Sequence, residues 1–103
     1  MLKITFYVPK EACEAVKEAM FLAGAGRIGN YDKCAYEIEA WGQFRPLEGA
    51  NPSTGKIGKT EKVFEVRVEM VLEDNILKEV VEALKSAHPY ETAAFDVVRC
   101  MEV

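Results

Sequence analysis

The chain of 103 residues has room for one hydrophobic core and no second domain, because domains usually hold about 100 to 150 residues. Half of it is apolar and 29% is charged, the balance of a folded globule rather than of a disordered segment. A formal net charge of -4 and a pI near 5.0 repel phosphate backbones, and Lys56, Lys59 and Lys62 sit among glycines and Glu61 rather than in a basic patch, so nucleic acid is excluded as a partner.

No apolar run approaches the roughly 20 residues needed to cross a bilayer, and Met1 to Pro9 lacks the plan of a signal peptide. The expectation is a cytoplasmic protein without a membrane partner. Cys13, Cys34 and Cys100 are odd in number and contain no C-x-x-C, which predicts reduced, mostly buried thiols rather than a disulfide framework or a zinc knuckle.

Leu2, Ile4, Phe6 and Val8 alternate with Lys3, Thr5 and Tyr7, the period of a strand with one buried face, and Pro9 ends it. From Lys10 the spacing of Ala12/Cys13, Val16, Ala19/Met20 and Ala23 predicts a helix, stopped by Gly24 and Gly26. A second strand is expected from about Lys33 to Trp41, with Cys34, Tyr36, Ile38 and Ala40 on one side and Glu37, Glu39 and Trp41 on the other. Phe64 to Leu72 reads as a third strand, alternating Phe64, Val66, Val68, Met70 and Leu72 with Glu65, Arg67, Glu69 and Val71.

Asp74 is expected to cap a second helix, whose apolar stripe is Ile76, Leu77, Val80, Val81, Leu84 and Ala87 and which Pro89 closes. The last strand should cover about Ala94 to Val103, with Phe95, Val97, Met101 and Val103 sharing a face with Arg99, opposite Val98 and Cys100. The order β-α-β-β-α-β predicts an α+β fold: a ferredoxin-like sandwich with two helices on one face of a four-stranded antiparallel sheet. Glu37, Glu39, Trp41, Glu65, Arg67, Glu69 and Val71 are expected on the uncovered face, which predicts packing against other copies of the chain.

Gly24-Ala25-Gly26-Arg27-Ile28-Gly29 matches the G-x-G-x-x-G string, but a helix leads in and a strand leads out, the reverse of the dinucleotide fingerprint. A helix cap with a tight turn explains it better. Gly58-Lys59-Thr60 is no phosphate loop either, because Ser53 stands where the first glycine belongs. The long stretch Gly42 to Lys59 is nonetheless informative, since two strands could have been joined by a short turn; Gly55, Lys56, Gly58 and Lys59 could present backbone N–H groups and charge to an anion.

His88 is the only histidine, and it sits in His88-Pro89-Tyr90-Glu91. As a metal ligand it would need Glu91 and Glu65 or Cys34 to converge on it; as a structural corner it would cap carbonyls while Tyr90 packs on the sheet. No serine or cysteine stands beside it in sequence, so a nucleophile–base pair is not indicated.

Five strings taken together resemble the PII/CutA-like insert domain of the YqfO/YbgI-like family, here as a free-standing protein: Gly24 to Tyr31 with Cys34, Gly42-Gln43-Phe44-Arg45-Pro46, Gly55-Lys56-Ile57-Gly58 with Glu61, Glu65-Val66-Arg67-Val68-Glu69, and Ala87-His88-Pro89-Tyr90-Glu91. The resemblance runs nearly end to end and implies the same ferredoxin-like fold and, by analogy with CutA and PII, a homotrimer. Full-length members carry a dimetal site in flanking domains, so the resemblance transfers no enzymatic activity. Thr92 departs from it, where the family pattern usually has a second acid after His-Pro-Tyr-Glu.

The function expected is therefore a non-enzymatic, oligomeric binding or regulatory module with its ligand cleft between subunits. Gly26, Arg27, Gly29, Tyr31, Lys56, Gly58, Lys59, His88, Tyr90 and Glu91 are the candidate ligand-binding residues, for a small anion or a nucleotide. The alternative is a CutA-like divalent metal-binding protein using His88, Glu91 and Glu65. A third reading is a lid that docks on another chain.

Overall fold

The computed structural model describes residues 1–103. Strand β1, Leu2–Pro9, buries Leu2, Ile4, Phe6 and Val8, and Pro9 leads directly into helix α1, Lys10–Leu22. Helix α1 turns Cys13, Val16 and Met20 to the core. Its end is a Schellman motif: the Gly24 N–H donates to the Phe21 carbonyl at 2.9 Å and the Ala25 N–H to the Met20 carbonyl at 3.1 Å, with Gly24 at a φ of 107°. Gly26, at a φ of 81°, then donates its N–H to the Val71 carbonyl at 2.7 Å. The glycines of the G-x-G-x-x-G string thus serve a helix stop and a turn, as the order of elements implied.

Strands β2, Tyr36–Phe44, and β3, Glu61–Leu72, follow; after a 3-10 turn at Asp74–Ile76 come helix α2, Leu77–Ala87, and strand β4, Phe95–Arg99. The sheet order is β2-β3-β1-β4, antiparallel throughout. Fourteen buried residues from β1, β3, both helices and Ala25 form one core, so both helices lie on the same sheet face. This is the ferredoxin-like sandwich expected from the periodicity. Each fully buried aliphatic or aromatic side chain here, such as Phe6, Ile4 or Leu84, contributes about 1.5–3 kcal/mol relative to exposure. No helix is long and apolar enough to cross a membrane.

Several expectations need correction. Strand β2 begins at Tyr36 and runs to Phe44, where Lys33 to Trp41 was expected, and its two faces are the reverse of those assigned. Its register places Glu37, Glu39 and Trp41 opposite Val68, Val66 and Phe64, on the helix side, while Tyr36, Ile38 and Ala40 share the open face with Glu69, Arg67 and Glu65.

The cause is electrostatic. Helix α1 carries Lys17, whose Nζ lies 2.9 Å from Glu37, and Cys13, whose Sγ donates to Glu37 at 3.1 Å, while Lys10 pairs with Glu39 at 3.1 Å. On an edge strand that the helices barely cover, those partners outweigh the burial of Tyr36 and Ile38.

Strand β4 stops at Arg99 instead of reaching Val103, though Phe95, Val97 and Arg99 do face the helix side, opposite Phe6, Ile4 and Leu2. Asp74 caps no helix; its carboxylate instead holds Arg99 at 2.7 Å. Of the three free cysteines only Cys13 is buried.

Strand β3 is longer than the β1 it pairs with: that pairing ends at Pro9 with Glu65, so Glu61–Phe64 and Trp41–Phe44 project beyond the sheet as a two-stranded ribbon. The ribbon helps stretch the molecule to 46 × 25 × 24 Å. Trp41 stands edge-on to Phe64 on it, centroids 5.3 Å apart, with Trp41 70% exposed.

Two outcomes test this description. A Cβ on Gly26 would lie 2.9 Å from the Cys34 carbonyl and from the Phe21 ring at positive φ, whereas one on Gly29 meets nothing within 4 Å. Gly26→Ala should therefore cost about 2 kcal/mol or more in urea unfolding and Gly29→Ala about 1 kcal/mol; equal losses would contradict the turn geometry. Burial first, and then the Glu37 carboxylate, push the Cys13 thiol up to about 12. A thiol reagent at pH 8 should thus modify Cys13 on the order of a hundredfold more slowly in the folded protein than in guanidinium chloride, and Glu37→Gln should narrow that gap.

Candidate ligand cavity

Helix α2 ends where Pro89 denies it a further N–H, and the residue before a proline is held extended, as His88 is at φ -71° and ψ 135°. That turn buries the imidazole. His88 Nδ1 accepts the Tyr90 N–H at 3.1 Å, so the ring proton sits on Nε2, which donates to the Tyr7 carbonyl at 2.7 Å. Both ring nitrogens are thereby committed to backbone, and the corner is riveted to the end of β1.

The Tyr90 ring leans on His88, centroids 4.9 Å apart, and its centroid lies 6.5 Å from that of Phe44, the two planes tilted by 49°. Its hydroxyl donates to Glu65 Oε2 at 2.9 Å. Burial, and after it the Glu65 carboxylate, push the phenol well above its ordinary value of 10.0, so Tyr90 remains a neutral donor. Next along, Glu91 Oε2 accepts the Asn51 N–H at 3.0 Å, tying the 45–60 loop to the corner. The loop is further shaped by its own bonds, Gly58 N–H to the Pro46 carbonyl at 2.8 Å and Ala50 N–H to the Leu47 carbonyl at 3.0 Å.

Between the ribbon, the loop and the corner lies a cavity of about 420 Å³. Tyr7, Gly42 and Glu65 line it from the open face of the sheet, Phe44, Pro46 and Tyr90 supply apolar surface, and Pro52, Ser53 and Thr54 come from the loop, with Glu91 and Thr92 from the corner. Gly42 has a specific part here: a Cβ at that position would collide with Glu65 Oε1. A glycine inside a strand where another group approaches closely is the signal that could have revealed this site in the sequence. Tyr7, Phe44, Ser53 and Thr54 carried no such signal, because nothing in their spacing says that they meet.

The structure brings together Tyr90, Glu91 and Glu65, with His88 behind them as a support. Lys56, Gly58 and Lys59 belong to the same loop but do not line the cavity. Gly26, Arg27, Gly29, Tyr31 and Cys34 lie at the far end of the sheet. Gly26 bonds Val71, which pairs with Lys3, whereas Glu65 pairs with Pro9, so about 20 Å of strand separates the two groups within one chain. The three His, Cys, Asp or Glu donors that converge within 4.8 Å of one another are Cys13, Glu14 and Glu37, and the Lys17 ammonium already lies 2.8 Å from Glu14 and 2.9 Å from Glu37.

The Tyr90 geometry is testable. A phenol whose folded-state value is raised stabilises the fold fully below pH 10.0, and the contribution is lost as pH rises through the folded value. Tyr90→Phe should lower stability at pH 7 by about 1 kcal/mol and flatten the alkaline loss of stability above pH 10 relative to the parent. Parallel alkaline curves would refute the Tyr90–Glu65 contact.

No family model matches the chain. The chain is 46% identical over 95 residues to the GTP cyclohydrolase 1 type 2 homolog of Bacillus subtilis, a match covering 92% of this chain and 26% of that protein. It therefore spans about a quarter of the length of the curated relatives it matches. Among solved structures, a Bacillus cereus protein related to NIF3 superposes with a TM-score of 0.81 at 40% identity, over 93% of this chain and 24% of that one. CutA1 from Pyrococcus horikoshii superposes with a TM-score of 0.73 at 20% identity, over 100% of this chain and 86% of that one, which is a likeness of fold. The resemblance read from the five strings is thus shown by alignment: the chain is a homologue, in a CutA/PII-like fold, of one segment of the NIF3-related GTP cyclohydrolase 1 type 2 homologs.

Proposed function

We propose that this chain is a non-enzymatic binding module of the cytoplasm that works as a homotrimer and senses a small ligand through the order of its 45–60 loop. The observation that carries the reading is the 420 Å³ cavity, roofed by that loop, with Glu91 to the Asn51 N–H as the side-chain hydrogen bond tying loop to corner. A ligand entering it touches strand, loop and corner at once, so occupancy and loop order are coupled.

A binding role rather than a catalytic one is supported by the site's chemistry. His88 spends both nitrogens on backbone, and Ser53 and Thr54 have no imidazole, thiol or amine beside them among the cavity walls. The cyclohydrolase in the relatives' name is assigned, in this reading, to parts of those proteins outside the matched segment. Three free cysteines suit a reducing compartment.

Self-association follows from surface left without cover. Tyr36 is 68% and Ile38 44% exposed on the sheet face opposite the helices, and Trp41 and Phe64 stand on the projecting ribbon. In this reading an inter-subunit cleft lies between the Gly26 to Tyr31 turn of one copy and the 45–60 loop of the next, two groups that a single chain keeps apart. Light scattering should give three times the chain mass of 11.5 kDa at micromolar concentration, and Ile38→Lys with Trp41→Lys should reduce it. A mass of one chain at every concentration removes the trimer and the inter-subunit cleft.

A further inference from the structure

We infer that the cavity selects a small organic cation, an amine or guanidinium on a short apolar body, rather than an anion. This deepens the reading of the cavity as the ligand site and rests on it. Among its walls stand two carboxylates, Glu65 and Glu91, and no lysine, arginine or histidine. An anion entering would lose water and gain two repelling charges, whereas a cation replaces its hydration with carboxylate oxygens.

The oxygens left over point the same way. Tyr90 takes Glu65 Oε2 and Asn51 takes Glu91 Oε2, so each carboxylate retains its Oε1 for a ligand. Glu65 Oε1 lies over Gly42, in the space a side chain there would fill. An N–H of a guanidinium or an ammonium can donate to such a charged acceptor.

The aromatic walls add to the selection. Phe44 and Tyr90 both line the cavity, their centroids 6.5 Å apart and their planes tilted by 49°, and aromatic faces attract cations and cover a methylene chain. The volume of about 420 Å³ fits a small organic molecule rather than a bare metal ion, and neither Glu65 nor Glu91 belongs to a group of three converging His, Cys, Asp or Glu donors.

Agmatine, which carries a guanidinium and an amine on a four-carbon chain, is the probe, with glutarate, ATP and zinc chloride as comparators. Calorimetry and amide chemical shifts on the full chain should show agmatine binding, with shifts concentrated at Gly42, Thr54 and Tyr90, and weakening as salt rises. Glu65→Gln keeps the acceptor for Tyr90 and removes the charge, and should weaken agmatine roughly tenfold or more. Glu91→Gln, on an exposed turn and still able to accept from Asn51, should do the same if Glu65→Gln fails to fold.

Binding of glutarate or ATP at these amides without agmatine overturns the cation assignment and leaves the binding module standing. Zinc bound there in place of agmatine also overturns it. Agmatine affinity unchanged in both variants overturns it as well. Silence from all four probes, with no shift at these amides, overturns the cation site and counts against the cavity as a ligand site altogether.

Discussion

Eight residues of β1 lie in register against eight of β3, from Leu2 opposite Leu72 to Pro9 opposite Glu65, and the rest of the molecule is arranged around that ladder. Because side chains alternate along a strand, the register gathers Leu2, Ile4, Phe6 and Val8 with Leu72, Met70, Val68 and Val66 on one side and sends Lys3, Thr5 and Tyr7 to the other. A slip of one residue would expose that whole apolar set. Both helices cover the same layer because it is the one continuous apolar surface available to them.

The site is a consequence of how the ladder ends. Strand β3 begins four residues before its pairing with β1, and β2 continues beside it, so a ribbon overhangs the sheet and a hollow opens beneath it. What fills the other side of the hollow is the turn after α2. His88 donates its Nε2–H to the Tyr7 carbonyl of β1 and accepts the Tyr90 N–H on Nδ1, which aims Tyr90 at Glu65. A single imidazole thus transmits the position of β1 to the cavity wall. Its two-sided hydrogen bonding explains why the one histidine of the chain is buried.

Charge plays two separate parts. At the α1–β2 contact, Lys17, Glu37 and Cys13 turn an edge strand over: partial burial works against the Lys17 ammonium, yet Glu14 and Glu37 hold its pKa up to about 12, and Lys17 and then Cys13 draw Glu37 below the usual carboxylate value. The strand thereby presents Tyr36 and Ile38 to the open face, next to the chain of Lys3, Glu69 and Arg67. At the cavity, by contrast, carboxylates stand without a matching cation, and that imbalance is what gives the hollow a chemical preference.

Much of the architecture can be read from residue order alone, because β1, α1, β3 and α2 each bury a face and burial writes a period into the sequence. Pro9, Gly24 and Pro89 mark their ends for covalent reasons that need no neighbours. The motif His88 to Glu91 likewise announces a corner, and two of its residues do line the cavity. Strand β2 defeats the same method, since it is an edge strand whose apolar and acidic faces are both largely exposed and whose orientation is set by Lys17 and Cys13, residues near in space and remote in sequence. Asp74 illustrates the same point, looking like a helix cap while its carboxylate finds Arg99. Local steric and solvation rules therefore settled the elements from sequence, whereas the pairing of distant side chains, which fixes the strand's facing and gathers Tyr7, Gly42, Glu65 and Tyr90 around one hollow, exists only once the chain has folded.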